Sequence, residues 1–475
     1  MANQLSSIDH IVVLMLENRS FDHMLGLLYS ASGNVSPSGQ PFEGLTGKES
    51  NPGTDGTPVT VFPIAPTDKN AYFMPGADPG EGYSATNSQL FGSTTAPNPP
   101  AATNDGFVTD FSYTLGWEAQ EGWSILSGTV ANDIMGIFPP SILPILSGLA
   151  TGFAVCDYWY SSVPTETLPN RAFVNAGTSQ GHLTDTAVQY TNPSIYGLLS
   201  DNNVSWSIYG YDEQPLTRMD FTDTANADDS HFGLFTDFQA AAAAGTLASY
   251  IFLEPSWDAS GNSQHPNYNV ALGEQLIHDV YYALRNGPAW NQTLLIVTYD
   301  EHGGCYDHVT PALGATPPDN SVGEDGFDFK RFGVRVPTVL VSPLIAPGVV
   351  FRVAAGTTPL DHTSILKTVE TRWNLPALTA RDAAASSIGD VLSLTTPRTD
   401  DPLAGVTVPQ APQTNPDADR PSHLQMIHAQ LVAQLPIPDA SGHTHHVMPS
   451  LKTNQDYKEY IRSRTEAWKA WRKRR

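Results

Sequence analysis

Basic residues are scarce in this 475-residue chain, which has 24 lysines and arginines against 48 aspartates and glutamates and a formal net charge of −24. This acidity argues against nucleic acid as the main partner, because binding to a phosphate backbone needs clustered lysine and arginine. Cysteine is scarcer still, with only Cys156 and Cys305. Two cysteines do not form a disulfide framework, and we expect two buried thiols.

Long uninterrupted apolar runs are also lacking. The segment 134–156 carries no charge, but three prolines and several glycines break it. We therefore interpret it as a buried helix that leads into a buried strand, and not as a membrane span. The first ten residues have no basic region and no apolar core typical of a signal peptide. The sequence as it stands predicts a cytoplasmic protein, unless a leader has been removed.

The composition is otherwise that of a folded protein, with 40% hydrophobic and 10% aromatic residues. These values exclude a mainly disordered chain. The length allows several domains or one large domain with insertions. We expect a catalytic domain over residues 1–395 and a C-terminal extension over 396–475. Residues 30–130 are rich in glycine, proline and small polar residues, which indicates an insertion of loops and short elements.

Apolar runs rich in β-branched residues alternate with helical patterns along the main domain. This alternation predicts an α/β fold with a central, mostly parallel sheet covered by helices. The clearest helix is predicted over Val270–Arg285, where Leu272, Leu276, Val280 and Leu284 share one face. The predicted strands are His10–Leu16, Gly152–Cys156, Trp206–Tyr209, Tyr250–Leu253, Leu294–Thr298 and Thr338–Val341.

Polar residues follow three of these strands. Glu17 and Asn18 follow the first, Asp300 and Glu301 come just after the fifth, and a threonine-containing loop follows the second. Open α/β sheets bind ligands beyond the carboxyl ends of their strands. Hard oxygen ligands of this kind suit Ca²⁺, Mg²⁺ or Mn²⁺. The pattern predicts a divalent metal site, with Zn²⁺ left open because a nearby histidine would favour it.

Four sequence blocks occur in a characteristic order. They are ENRSFDHMLG at Glu17–Gly26, TLPNR at Thr167–Arg171, DEHGGCYDHV at Asp300–Val309 and GVRVPTVLVSPL at Gly333–Leu344. Together they resemble the bacterial phospholipase C and acid phosphatase family, which also includes the plant non-specific phospholipases C. The resemblance spans about residues 8–385. It implies an alkaline-phosphatase-like three-layer core, in which a sheet lies between two helical layers.

The resemblance also implies roles for the matched residues. Glu17, Asn18, Asp300 and Glu301 would hold a metal ion together with Thr167, the nucleophile. A bound cation would lower the pKa of the threonine hydroxyl and orient its oxygen. The implied reaction is hydrolysis of a phosphate ester through a phospho-threonine intermediate.

The segment TETLPNR offers two threonines, Thr165 and Thr167, and we favour Thr167. A helix is expected to start near Asn170, with its first backbone N–H groups facing a phosphate. Arg171 would either offset charge in the transition state or serve as a structural ion-pair partner. The family has a His-Pro where His265 stands, which implies that this histidine contacts the phosphoryl group or protonates the leaving oxygen.

One position departs from the family pattern. Phospholipase C relatives tend to have a histidine after Asp-Pro-Gly, and this chain has Glu81 there. Three readings stay open: Glu81 donates a proton from a raised pKa, it recognises a cationic or hydroxyl-rich head group, or catalysis is weakened.

Other histidines are weaker site candidates. Those of Asp307-His308 and Asp361-His362 would orient loops or reach the site, and Asp361 would otherwise cap a helix. The cluster formed by His443, His445 and His446 is not expected to bind metal, because it lacks acidic partners.

A phospholipid is the favoured substrate. Trp117, Trp123 and the uncharged segment 134–150 could supply the apolar entrance that a lipid needs. A small phosphate ester is the alternative, and an inactive binding homologue is a second one. Members of the family are often secreted or periplasmic, so the location stays open.

The basic residues concentrate at the C-terminal end. Residues 451–475 hold nine basic and three acidic residues, with several aromatic residues among them. We expect a helix that docks on the acidic body, with peripheral contact to an anionic membrane as the alternative. The sequence does not predict the oligomeric state.

Overall fold

The computed structural model describes residues 3–411, 419–438 and 448–474. In these ranges the strands are β1 (His10–Leu16), β2 (Ser50–Pro52), β3 (Pro58–Thr60), β4 (Phe62–Pro63), β5 (Gly136–Ile137), β6 (Ala154–Val155), β7 (Trp159–Tyr160), β8 (Trp206–Gly210), β9 (Phe232–Leu234), β10 (Tyr250–Leu253), β11 (Thr293–Tyr299), β12 (Thr338–Val341), β13 (Val349–Val350) and β14 (Leu360–Asp361). The α-helices are α1 (Phe21–Leu25), α2 (Tyr83–Phe91), α3 (Phe107–Glu121), α4 (Pro144–Gly152), α5 (Thr167–Ala176), α6 (Ile195–Asp201), α7 (Thr217–Asp220), α8 (Thr222–Asn226), α9 (Phe235–Ala244), α10 (Val270–Arg285), α11 (Thr363–Trp373), α12 (Ala380–Ala384), α13 (His423–Ala433) and α14 (Asn454–Arg472).

The main sheet has the strand order β13-β6-β12-β11-β1-β10-β8-β9 within the described ranges. Its strands pair in parallel, except that β12 runs antiparallel to both β11 and β6. The α/β prediction is confirmed, and each predicted strand is present. The second is shorter than expected, since only Ala154 and Val155 form ladder bonds. The central strands β1 and β11 are buried along nearly their whole length because other elements cover both faces of the sheet.

Strands β1 and β11 place the first and third sequence blocks side by side. They pair in parallel from His10 opposite Thr293 to Leu16 opposite Tyr299. The next residues along each strand, Glu17 and Asp300, therefore leave the sheet at neighbouring positions.

The uncharged segment 134–156 forms the buried helix α4 and the buried strand β6. The first turn of α4 is capped from outside, because the N–H groups of Ile145 and Leu146 donate to the carboxylate of Glu274 at 2.6 and 3.0 Å. Among the described residues no helix is both long and apolar enough to cross a membrane. The interpretation as a buried helix and strand is thus confirmed. Cys156 and Cys305 are both buried and unbridged, as expected.

Helix α10 has the predicted bounds, but the prediction that Leu272 belongs to its buried face is wrong. Leu276, Val280 and Leu284 are buried, whereas Leu272 is 39% exposed. The buried stripe runs instead through Gly273 and Ile277, because the first turn packs its glycine against the side chain of Gln264.

The insertion is more helical than expected. It contains α2 and the 15-residue helix α3, besides short strands. Phe107, Val108 and Phe111 of α3 pack into a small core with Met135 and Tyr306. Only one face of α3 is buried, and its other residues are mostly polar. The sequence of α3 therefore resembles that of the surrounding loops.

The C-terminal helices dock on the body. Helices α13 and α14 share an apolar cluster with Leu168, Met219 and Trp257. Lys458 of α14 forms ion pairs with Asp212 and Asp258. The expectation that the basic helix docks on the acidic body is therefore confirmed. Contact with a membrane stays a prediction. His443, His445 and His446 lie outside the described residues.

Candidate active site

A large cavity lies beyond the carboxyl ends of β1 and β11. Its volume is about 1120 Å³, and its wall includes Glu17, Glu81, Thr167 and His265. These four predicted site residues come from the first block, the insertion, the start of α5 and the loop before α10. The fold thus brings together residues that are up to 248 positions apart in the chain.

Asn18 links the remaining predicted residues to this cavity. Its side-chain carbonyl accepts a hydrogen bond of 3.0 Å from the Thr167 hydroxyl. Its side-chain amide donates to Glu81, and its backbone N–H donates to Asp300 Oδ1 at 2.9 Å. Asn18 has a φ of 56°, a left-handed conformation that asparagine tolerates better than most residues.

Gly303 makes room for this backbone. A Cβ atom there would lie 2.0 Å from the carbonyl oxygen of Asn18, and the φ of Gly303 is 59°. Both features require glycine. The Gly-Gly that follows Asp300-Glu301 thus allows the two loops to touch.

Asp300 is held in place behind the cavity wall. Arg171, fully buried, donates to Asp300 Oδ2 at 3.0 Å and to the carbonyl of Leu16 at 3.1 Å. His362 donates to the backbone carbonyl of Asp300. Arg171 is not among the residues that line the cavity, so its position is that of the ion-pair partner.

Two of the predicted metal ligands are buried carboxylates with an oxygen that has no hydrogen-bond partner, Glu17 Oε2 and Glu301 Oε1. Burial raises the pKa of Glu17 to about 7, with the charge of Asp300 adding to the effect and His265 opposing it. Burial, together with Asp300, raises the pKa of Glu301 well above its usual range. Buried carboxylates that destabilise one another in this way are relieved by a cation. The unpartnered oxygens of Glu17 and Glu301 suit a cation, but among the described residues the ligand atoms of Glu17, Asp300 and Glu301 do not form a group within 4.8 Å of one another.

Glu81 belongs to a second group of ligand atoms. One ligand atom each of Asp78, Glu81 and His265 lies within 4.8 Å of the others. Burial and the neighbouring charges of Asp78 and Glu301 raise the pKa of Glu81 well above its usual range. A raised pKa favours the neutral carboxyl, which repels an anion less than the ionised form does. Two acids and an imidazole are a donor set that suits Zn²⁺ or Mn²⁺, so the structure leaves the metal's identity open.

The imidazole of His265 has the hydrogen bonds and charged neighbours of a group that can donate a proton. Its Nδ1 donates to the carbonyl of Pro266 at 3.0 Å, and its Nε2 lies 3.8 Å from Asp78 Oδ1. Burial alone would lower the pKa of His265, but the carboxylates of Asp78 and Glu17 outweigh it and the pKa is raised. The ring's position depends on Arg19, whose guanidinium donates to the backbone carbonyls of Gln264 and His265 at 2.6 and 3.0 Å.

The start of α5 differs from the expectation. The helix begins at Thr167 and not near Asn170. Its Leu168 N–H donates to Asp185 Oδ1 at 2.7 Å, so a protein carboxylate occupies this donor. Thr165 is turned away, because its hydroxyl donates to the carbonyl of Leu183. Of the two threonines, Thr167 is the one that lines the cavity.

The weaker site candidates Asp307, His308 and Asp361 lie in structural ion-pair clusters. Asp22, Asp307 and His308 form another group of ligand atoms within 4.8 Å of one another. Arg335 supplies their counter-charge, with ion pairs of 2.9 Å to Asp22 and 3.0 Å to Asp307. This cluster fastens the loop after β11. Asp361 lies in β14 and pairs with a buried arginine, Arg381, at 3.0 Å.

Three further residues that support the site were not predicted from the sequence: Arg19, Gln89 and His302. His302 contacts Glu301 Oε2 at 3.1 Å and donates to Gln89 at 2.7 Å. Gln89 in turn donates to the carbonyl of Gly80 at 2.6 Å, which fixes the loop that carries Glu81. Arg19 and His302 stand next to predicted residues, and that adjacency was the one available signal.

Most of the ionisable side chains in the described cavity wall are acids. Among the described residues that line it, the carboxylates are Glu17, Asp78, Glu81, Asp105, Asp110, Glu118, Glu166, Asp185 and Asp325. The basic side chains are His265, Arg420 and His423. Trp117 and Trp123 also lie in the wall, stacked with ring centroids 6.3 Å apart. The uncharged segment 134–150 is largely core.

Comparison with known proteins decides the family. A family model described as the phosphoesterase family matches residues 8–376. The chain belongs to the phosphoesterase family. Non-specific phospholipase C6 of Arabidopsis thaliana is 38% identical over 434 residues, which cover 87% of this chain and 78% of that protein. Phospholipase C A of Mycobacterium tuberculosis is 28% identical over 466 residues, with 87% and 83% covered.

Solved structures resemble this phosphoesterase only remotely. A protein in the alkaline phosphatase superfamily from Vibrio parahaemolyticus matches with a TM-score of 0.32 and 12% identity, covering 70% of this chain and 82% of that one. Membership of the phosphoesterase family makes the chain a phosphoric ester hydrolase by class.

Proposed function

We propose that this phosphoesterase is a metal-dependent phospholipase C that acts through a phospho-threonine intermediate on Thr167. The observation that carries the proposal is the convergence of the Thr167 hydroxyl, the buried Glu17 carboxylate with its unpartnered oxygen and the His265 imidazole at one cavity. The names of the relatives support the choice of a phospholipid. The cavity volume of about 1120 Å³ also suits a ligand larger than a small phosphate ester.

Glu17, Asn18, Asp300 and Glu301 would hold the metal ion beside Thr167. When bound, the ion supplies a positive charge that lowers the pKa of the threonine hydroxyl and stabilises charge on the phosphoryl oxygens. Asn18 orients Thr167 through the 3.0 Å hydrogen bond. Arg171 keeps Asp300 in position through a 3.0 Å ion pair.

The reaction has two steps. In the first, the Thr167 oxygen attacks phosphorus, the bond from phosphorus to the glycerol oxygen breaks, and His265 gives that oxygen a proton. The hydroxyl proton of Thr167 passes to water in the open cavity. In the second step, water attacks the phospho-threonine, one of its protons returns to His265, and Thr167 leaves and regains a proton from water. The products are diacylglycerol and the phosphorylated head group.

Acid-quench mass spectrometry tests the intermediate. With a short-chain phosphatidylcholine as substrate, we expect a phosphocholine adduct on Thr167 and none on Thr165. Thr167→Ala should lose at least about 1000-fold in kcat, whereas the matched Thr165→Ala should keep most activity. An active Thr167→Ala variant would refute the nucleophile.

The substrate class is tested with p-nitrophenyl phosphorylcholine and p-nitrophenyl phosphate, each with and without a chelator. Turnover of the choline ester with little of the monoester supports the phospholipase. The reverse preference would favour a phosphatase of small esters. No turnover of either ester by the metal-loaded protein would favour an inactive binding homologue.

A further inference from the structure

The C-terminal segment supplies part of the cavity wall, although it lies beyond the region that the family model matches. That match ends at residue 376, whereas Arg420 and His423 line the cavity that holds Thr167. The two residues provide two of the three basic side chains in the described wall. The proposed substrate carries a phosphoryl group, so donors in this acidic cavity are the groups that an anion would use.

His423 stands next to the start of α5. Its Nδ1 lies 3.9 Å from Asp185 Oδ2, and the other oxygen of Asp185 accepts the Leu168 N–H at 2.7 Å. Leu168 directly follows Thr167. About half of the His423 side chain is exposed, so a molecule in the cavity can reach it.

The backbone at His423 is rigidly held. His423 is the first residue of α13, and the hydroxyl of the preceding Ser422 accepts the Gln425 N–H at 3.1 Å. Gln425 donates in turn to Asn454 of α14 at 2.8 Å, in a buried contact. The imidazole is therefore presented from a fixed helix end and not from a loose chain.

The other two basic residues have different tasks. His265 serves the leaving oxygen in the proposed reaction. The guanidinium of Arg420 stacks over Trp123 at 4.2 Å and donates to the carbonyl of Gly122 at 3.3 Å, which ties the C-terminal segment to the insertion. Among the described cavity residues, His423 is the basic group left for the substrate itself.

We propose that His423 is a substrate-binding residue, which donates a hydrogen bond to a non-bridging phosphoryl oxygen of the ester held against Thr167. This inference rests on the proposed function. It gives the C-terminal helices a part in substrate recognition, as the carriers of one side of the phosphoryl pocket.

The test separates binding from chemistry in the full chain. His423→Ala should raise KM for p-nitrophenyl phosphorylcholine about tenfold or more, the loss of one hydrogen bond to a charged group, with kcat changed less than about threefold. His423→Gln should recover part of the loss, because its amide can donate. His278→Ala, a histidine on the outer side of α10, is the matched control and should behave as wild type.

Inorganic phosphate binding, measured by calorimetry, provides an independent readout. We expect its Kd to rise in His423→Ala by a factor similar to KM, with the metal content unchanged by elemental analysis. Unchanged KM and phosphate Kd in His423→Ala would overturn the inference and leave the proposed function intact, and so would a fall in kcat alone. If the wild type hydrolyses no ester, the proposed function fails, and the phosphate Kd still decides the role of His423.

Discussion

The Thr167 hydroxyl donates a 3.0 Å hydrogen bond to the side-chain carbonyl of Asn18, and this contact joins the second sequence block to the first. Asn18 is also bonded to Glu81 and Asp300. Asn18, a residue with a left-handed backbone, therefore aligns three groups. They are the candidate nucleophile Thr167, the carboxylate of Glu81 and the carboxylate of Asp300.

Replacing Asn18 should uncouple these groups. We expect Asn18→Ala to lower kcat about 100-fold or more, because Thr167 loses its orienting acceptor and the metal site loses an oxygen. The left-handed φ adds backbone strain for alanine. Steady-state kinetics and thermal unfolding together check this. Asn203→Ala, at another left-handed position outside the site with a φ of 55°, isolates the strain. Equal losses of activity in both variants would contradict the role of Asn18.

Gly303→Ala should disturb the site more than an ordinary left-handed glycine. The new Cβ would meet the Asn18 carbonyl oxygen at 2.0 Å, and that atom is backbone. Gly314→Ala is the matched control, since its φ is 84° with open space around a Cβ. We expect about 1 kcal/mol of destabilisation for the control, and a larger loss with a fall in kcat for Gly303→Ala. Denaturant unfolding and activity assays measure both. A similar, small effect of the two substitutions would refute the close approach.

Divalent metal should stabilise the chelator-treated protein. We expect Mn²⁺ or Ca²⁺ to raise Tm, since a ligand that binds only the native state adds RT ln(1 + [L]/Kd). Glu17→Gln should weaken this shift. In the absence of metal, however, it should leave the protein as stable or more stable at neutral pH, because it removes a buried carboxylate that is costly to ionise. Glu459→Gln, on exposed α14 surface, is the control. A metal-induced shift that survives Glu17→Gln unchanged would place the ion elsewhere.

His308 should make stability fall in alkaline solution. Burial alone would lower the pKa of His308, but the hydrogen bond and charge of Asp22 raise it to about 9. The protonated form therefore contributes stability that is fully present below the usual histidine pKa of about 6.5 and is lost as the pH rises through 9. We expect the free energy of unfolding to drop by about 2 kcal/mol between pH 7 and 9.5 from this group.

Denaturant unfolding across this pH range measures the drop. His308→Gln should flatten the profile, whereas His278→Gln should not. A wild-type profile that stays level between pH 7 and 9.5, or a slope that His308→Gln keeps, would show that the Asp22–His308 pair does not contribute as expected.

Much of the fold and of the site was predictable from local patterns. The run HIVVLML at β1 and the helix Val270–Arg285 are specified by periodicity and burial of their own side chains. The strand ends then placed Glu17 and Asp300 near each other, because two parallel neighbours deliver their carboxyl ends to one edge. Helix α3 and the exposure of Leu272 were not predictable, since both depend on what packs against them.

The residues that support the site escaped prediction for the same reason. Gln89 reaches His302 from 213 positions away, and Arg19 reaches the backbone of Gln264 from 245 away. No spacing or composition marks such pairs, because the contact exists only once distant segments are packed. Thr165 and Thr167 likewise differ only in space, because the Thr167 hydroxyl donates to Asn18 and the Thr165 hydroxyl donates to Leu183, and Thr167 as the nucleophile stays a prediction.

The sequence by itself determined the family, the α/β class and the residues of the four blocks, since these are written in contiguous stretches whose chemistry is local. The tertiary structure alone decided the burial that raises the pKa of Glu17 and Glu81, the ion pair that holds Arg171 behind the wall, and the arrival of His423 at the cavity. Burial and charge proximity are properties of the packed molecule, because they depend on how far water is excluded and which distant charges remain within a few ångströms.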